Sequence, residues 1–231
     1  MIYEAILFDM DGVITDTEQS VIDFWQRLAD RHGVAISSED WIQHVFGVPV
    51  LTTLDALFPM ITTNEQPALF EELEDYELNL TYPEMPGARS LLRALQAHGV
   101  PVAVVTSGDR WKLNAVTRQL DIDDVFTASV TVNDITRGKP HPDGYLLGAK
   151  KLGKAPERCI VFEDSLPGVR AAVASGATCV GIRAPEYAPM LIGIVAAHVI
   201  RDFSGVHVHS DGEATVLQLA PGVSLPFTSA H

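Results

Sequence analysis

Glu4-Ala5-Ile6-Leu7-Phe8-Asp9-Met10-Asp11-Gly12-Val13 is the stretch on which the reading of this chain turns. Residues 4–8 are almost all apolar and do not alternate, the pattern of a strand covered on both faces. Two carboxylates and a glycine follow at once. Residues two apart on a strand point the same way, so Asp9 and Asp11 leave its carboxyl end together, where open parallel sheets bind ligands. Burying two unpaired negative charges side by side is costly, and a divalent cation removes the cost. Donors that are all oxygen point to Mg²⁺. A turn with two solvated aspartates is the plain alternative.

Outward from this stretch, short apolar runs recur at 100–106, 125–130, 159–162 and 178–182. Helical patterns fill the gaps at 88–98, 111–120, 142–152 and 167–175. The first of these sets Leu91, Leu92 and Leu95 on one side, between Pro86-Gly87 and Gly99. Such alternation predicts an α/β fold, a parallel sheet with helices on both faces. Residues 16–85 break the rhythm. They hold helical patterns at 17–32 and 65–80, and Ser37 with Asp40 resembles a capping box, but no buried strand is evident. The expected division is a core of 1–15 with 86–231 and a helical cap domain at 16–85. Further on, 197–201 reads as an edge strand. Residues 205–209 and 215–219 flank Ser210-Asp211-Gly212-Glu213, a hairpin signal. The last ten residues read as a mobile tail.

Three more strand ends carry polar chemistry. Thr106-Ser107-Gly108 closes one run, and its hydroxyls and the next helix's first amides suit a phosphate. An ordinary helix cap would look the same. Lys139 stands between Gly138 and Pro140, where a fixed ammonium would offset crowded negative charge; a solvated loop lysine is the alternative. Glu163-Asp164-Ser165 ends a third run, with acids able to share a cation with Asp9 or merely to cap a helix.

The 231 residues carry a net charge of −14, which disfavours nucleic acid and anionic membrane surfaces as partners. No apolar run is long enough for a membrane span, and the first residues read as a strand rather than a signal peptide. The only two cysteines, Cys159 and Cys179, read as reduced, buried thiols, and these features together favour the cytoplasm.

The four stretches, in this order, resemble the motifs of the haloacid dehalogenase superfamily, over about residues 3–182. The terminal hairpin is also similar to that of some bacterial sugar phosphatases. The resemblance implies a Rossmann-like core with a helical cap inserted after the first strand. It implies Asp9 as nucleophile, Asp11 as general acid and base, and Thr106 with the amides of Ser107 and Gly108 as phosphate ligands. It implies Lys139 as the motif-three lysine, and Mg²⁺ held by Asp9, the Asp11 carbonyl, Glu163 and Asp164. Within the superfamily, Asp11 argues against a dehalogenase. A lysine-free 16–85 segment argues against a phosphonatase, which needs a cap lysine.

Motif one is also very similar to that of beta-phosphoglucomutase. A mutase must hold a second phosphate, yet residues 16–85 offer only Arg27 and Arg31 against fourteen acids, and Val21 stands where the mutase pattern has histidine. The expected activity is therefore hydrolysis of small sugar or polyol monophosphates, with the mutase as alternative and a non-catalytic binding protein behind it. Glu18 and His44 are the candidate substrate readers in the cap. A monomer is expected, with a weak homodimer as the alternative.

Overall fold

The computed structural model describes residues 2–183, 191, 193, 196–212 and 214–228. Its main sheet has six parallel strands in the order β3-β2-β1-β4-β5-β6. They are β1 (Ala5–Phe8), β2 (Val102–Val105), β3 (Ala128–Val130), β4 (Cys159–Glu163), β5 (Thr178–Ile182) and β6 (His198–Ile200). In this doubly wound order the chain moves one way from β1 and then the other, opening a crevice outside the carboxyl ends of β1 and β4.

The unbroken apolar runs have a direct physical reason. Ile6 and Phe8 pack into one hydrophobic cluster, while Ala5 and Leu7 pack into a second on the opposite face. Ile160 and Phe162 divide from Cys159 and Val161 in the same way. Each strand is therefore covered on both sides, and alternation would have put polar groups into a core.

Helices α1 (Glu18–His32), α2 (Ser38–Asp40), α3 (Val50–Leu57) and α4 (Gln66–Leu78) follow β1, and α5 (Ala88–Ala97) leads into β2. The inserted helices have their own cluster, including Phe24, Leu28, Val45, Leu54 and Phe58. The expected capping box is present: the Ser37 hydroxyl accepts from the Asp40 amide, and the Asp40 carboxylate accepts from the Ser37 amide. The helix at 50–57, which had no expectation attached, begins after Pro49 and buries Thr53 and Leu54. The remaining core helices are α6 (Arg110–Gln119), α7 (Asp143–Lys151) and α8 (Leu166–Ala174).

At the carboxyl terminus β7 (His207–Asp211), β8 (Ala214–Ala220) and β9 (Val223–Phe227) form an antiparallel sheet. The hairpin and the edge strand β6 agree with the sequence. The mobile tail does not: residues 223–227 are a strand, and the expectation falls outside the described residues only at 229–231. Leu225 and Phe227 join the main core, and the Tyr3 and Thr228 amides donate to the Pro226 and Tyr3 carbonyls. Pro226 is tolerated because β9 is an edge strand. Cys159 and Cys179 are free and buried. Among the described residues no helix is long and apolar enough to cross a membrane.

Candidate active site

Asp9 sits one residue past β1, buried, with its amide donating to the Phe162 carbonyl of β4. The chain then turns sharply. The amides of Val13, Ile14 and Thr15 all reach the Met10 carbonyl, and the Gly12 amide reaches that of Thr15. Gly12 has φ +73°, and a Cβ there would collide with the Asp164 carboxylate. Both its backbone angle and its closeness to the neighbouring strand end therefore demand glycine.

The buried carboxylates of Asp9, Glu163 and Asp164 offer oxygens that all lie within 4.8 Å of one another. Lys139 stands among them, 2.7 Å from Asp9 Oδ1 and paired also with Glu163 Oε1. One ammonium against three buried acids leaves an excess of negative charge. The acids respond. Burial pushes the Asp9 carboxyl up to about 7, with Lys139 opposing and Glu163 adding to the rise. Burial, aided by Glu163, raises Asp164 well above the usual carboxylate range. Lys139 moves up as well, because the attraction of Asp9 and Glu163 outweighs its own desolvation.

Glu163 is differently placed from its neighbours. Its Oε1 accepts from the Tyr145 hydroxyl at 2.8 Å and pairs with Lys139. Its Oε2 accepts from the Asp164 and Ser165 amides and the Ser165 hydroxyl. Gly168 lies against the same carboxylate, where a Cβ would collide with it. Glu163 thus fastens Lys139 and the start of α8 in place.

Thr106 follows β2 and is buried; its Oγ1 accepts from the Gly108 amide at 2.9 Å. The expected free amide of Gly108 is thus occupied by the threonine beside it. The Ser107 hydroxyl donates to the Gly47 carbonyl of the inserted segment at 3.1 Å. Asp11 is held at both oxygens: Thr17 Oγ1 donates to Oδ1 at 2.8 Å, and Lys112 Nζ lies 3.0 Å from Oδ2. Lys112 is also 2.7 Å from Glu77 Oε1 on α4.

These groups wall one cavity of about 120 Å³ between the sheet edge and the inserted helices. The inserted segment contributes apolar side chains to its wall, among them Val21, Phe24, Val45, Leu73 and Leu80. Glu18 lines it and forms an ion pair with Arg183. His44 does not wall this cavity; the chain presents Val45, Phe46, Gly47 and Val48 there, and the His44 carbonyl accepts from Thr53. Arg27 lies over the Tyr76 ring, 4.4 Å from its centroid, and Arg31 binds Glu72, so both inserted arginines are occupied outside the cavity wall.

Lys112, Glu77 and Tyr145 belong to this arrangement with no motif to announce them. A faint signal exists for Lys112: it shares the i, i+4, i+8 row of α6 with buried Val116 and Leu120, an odd place for an unpartnered ammonium.

The chain matches the haloacid dehalogenase-like hydrolase family over residues 3–176. It is 36% identical over 192 residues to hexitol phosphatase A of Escherichia coli (strain K12), covering 81% of this chain and 87% of that one. To a phosphorylated carbohydrates phosphatase of Thermotoga maritima it is 32% identical, with coverage of 75% and 82%. Among solved structures, a beta-phosphoglucomutase from Clostridium difficile superposes with a TM-score of 0.74 at 26% identity, covering 88% of this chain and 92% of that one. With three-quarters of its length matching the family and the family's strand ends meeting in one crevice, this chain belongs to the haloacid dehalogenase-like hydrolases.

Proposed function

We propose that this hydrolase is a phosphatase of small, uncharged-tailed sugar or polyol monophosphates that works through an aspartyl-phosphate on Asp9, with residues 16–85 as its cap. The observation that carries the reading is the Asp9–Lys139–Asp164 cluster at the β1/β4 crevice, which lines the same small cavity as Thr106. The relatives named for hexitol and carbohydrate phosphates support the substrate class.

The donor set fits a hard divalent cation. Asp9 and Asp164 offer buried oxygens close enough together to share one ion, and the Asp11 carbonyl adds a third expected oxygen. Glu163 is better suited to hold Lys139, because both its oxygens are already engaged. Mg²⁺ bound there would supply Lewis-acid neutralisation of phosphoryl charge. The chain's own groups do the rest. Asp9 attacks phosphorus in line, Lys139 steadies the charge on the transferring group, and Thr106 with nearby amides orients it. Asp11 donates a proton to the departing alkoxide and later takes one from the water that cleaves the acyl-phosphate.

The cavity limits the leaving group. Its 120 Å³ is comparable to the ~150 Å³ apolar cavity known to hold benzene, so one ring or a short chain is the natural occupant. Its two lysines each sit between two carboxylates, and neither inserted arginine lines it. A second phosphate would find no uncommitted cation among the lining residues described, which favours hydrolysis over a mutase. The likeness to a beta-phosphoglucomutase is what keeps the mutase as a second reading. Two free buried thiols fit a reducing compartment such as the cytoplasm.

A panel of hexitol, hexose, glycerol and nucleotide monophosphates tests this. We expect Mg²⁺-dependent phosphate release, lost on chelation, that is strongest for the neutral polyol and sugar esters. Conversion of glucose 1-phosphate to glucose 6-phosphate, primed by a bisphosphate and without free phosphate, would favour the mutase instead.

A further inference from the structure

Lys112 is only 6% exposed, yet it is the side chain that joins three parts of the molecule. It belongs to α6 of the core. One neighbour is Asp11 Oδ2 at 3.0 Å, and the other is Glu77 Oε1 of the inserted α4 at 2.7 Å. The arrangement is anchored on every side. The Lys112 stem runs beside Gly108, where a Cβ would lie 3.2 Å from its Cδ. The Glu77 carbonyl accepts from the buried Tyr82 hydroxyl at 2.9 Å, which fixes the end of α4 just before the chain returns to the core. Thr17, at the entry to α1, holds the other oxygen of Asp11. The Asp11 carboxylate is thus clamped between one group that opens the insertion and another that the insertion's last helix holds.

A long lysine side chain gives up much rotamer freedom when it is buried, and an ion pair that only tied helix to helix would not need to lie on Asp11. Proton transfer to a leaving oxygen depends on the donor's placement, and a displacement of about 1 Å can cost about 10²-fold. We propose that Lys112 is a positioning residue for Asp11, aiming its carboxylate at the leaving oxygen, and that Glu77 keeps Lys112 in register while the inserted helices lie against the core. The proposal rests on the phosphatase reading above, and it gives the insertion a part in the chemistry beyond closing the pocket.

The test exploits leaving groups. An alkyl phosphate such as a hexitol phosphate needs its departing oxygen protonated, whereas p-nitrophenolate leaves readily as an anion. For each ester kcat/KM reports the steps through departure of the alcohol or phenol, before the acyl-phosphate they share is hydrolysed. With Mg²⁺ present, Lys112→Met is expected to lower kcat/KM about 10- to 100-fold on the alkyl ester and less than about threefold on p-nitrophenyl phosphate. Glu77→Gln, which keeps the shape of the side chain, is expected to lower the alkyl-to-aryl ratio in the same direction by about three- to tenfold. Equal losses on both esters, or an unchanged ratio, would overturn the proposal. Should Lys112→Met fail to fold, the Glu77→Gln ratio decides alone. A parent enzyme that releases phosphate from no alkyl ester would instead contradict the phosphatase reading itself.

Discussion

Asp9→Asn is expected to abolish phosphate release, lowering kcat by at least about 10³-fold with Mg²⁺ saturating, while the fold stays intact. The amide keeps the size and shape of the carboxylate but is a very poor nucleophile toward phosphorus. It also removes one of three mutually crowded acids. Burial already pushes the Asp9 carboxyl up to about 7, so its charge is a burden on the metal-free protein near neutral pH. The variant should therefore melt no lower than the parent without metal, and it should gain less from added Mg²⁺ because a ligand has been lost. Steady-state assays and thermal melts with and without Mg²⁺ check both halves. A variant with parental kcat would remove Asp9 from the chemistry.

Lys139→Met is the second large effect, and it combines activity with stability. Lys139 is almost fully buried and is the ammonium shared by Asp9 and Glu163. Removing one partner from a buried charge group leaves the others uncompensated, which costs about 3–5 kcal/mol. Activity should fall about 10²- to 10³-fold, because a fixed cation beside the transferring group is lost.

The pH dependence of that instability has a definite sign. A carboxyl whose folded pKa lies above its unfolded value binds more protons when folded, so stability falls as pH rises through the interval between the two. For Asp9 that interval already reaches about 7 with Lys139 in place, and loss of the cation extends it upward. The variant should therefore be much less stable than the parent at pH 8 and close the gap toward pH 5, where the acids can take up protons. Urea unfolding at the two pH values measures this. An equal deficit at both would mean that the lost energy is packing and not charge.

Much of the architecture was legible because each local signal had one physical cause. Ala5–Phe8 reads as a doubly covered strand because Ile6 and Phe8 serve one core and Ala5 and Leu7 the other. Ser37 and Asp40 announce a helix start because the two side chains satisfy each other's backbone amides. The acids at 9, 163 and 164 were readable as a cluster because parallel strands deliver their carboxyl ends to one edge.

What stayed hidden depends on contacts between distant parts of the chain. Nothing local distinguishes Lys112 from a surface lysine except its helical row; its partners are 101 and 35 residues away in sequence, at Asp11 and Glu77. His44 reads as a candidate from its place before Phe46-Gly47, but the turn there presents its neighbours to the cavity instead. Residues 223–227 carry Pro226, which counts against a strand, and they become one because β8 and Tyr3 offer hydrogen-bond partners. The bond that Glu163 accepts from the Tyr145 hydroxyl is likewise tertiary, and neither it nor the bonds from the amides of Asp164 and Ser165 leave a trace in the local sequence.

Phosphate that passes through Asp9 must leave a trace on that side chain during turnover. An acid quench during turnover of a preferred alkyl phosphate with Mg²⁺, followed by borohydride reduction, converts an aspartyl-phosphate into homoserine at the residue that carried it. Peptide mass spectrometry should then find homoserine at position 9 and at no other acid, and only when both substrate and Mg²⁺ were present. Phosphate release with position 9 left as unmodified aspartate, or with homoserine at Asp11, Glu163 or Asp164 instead, would contradict the account.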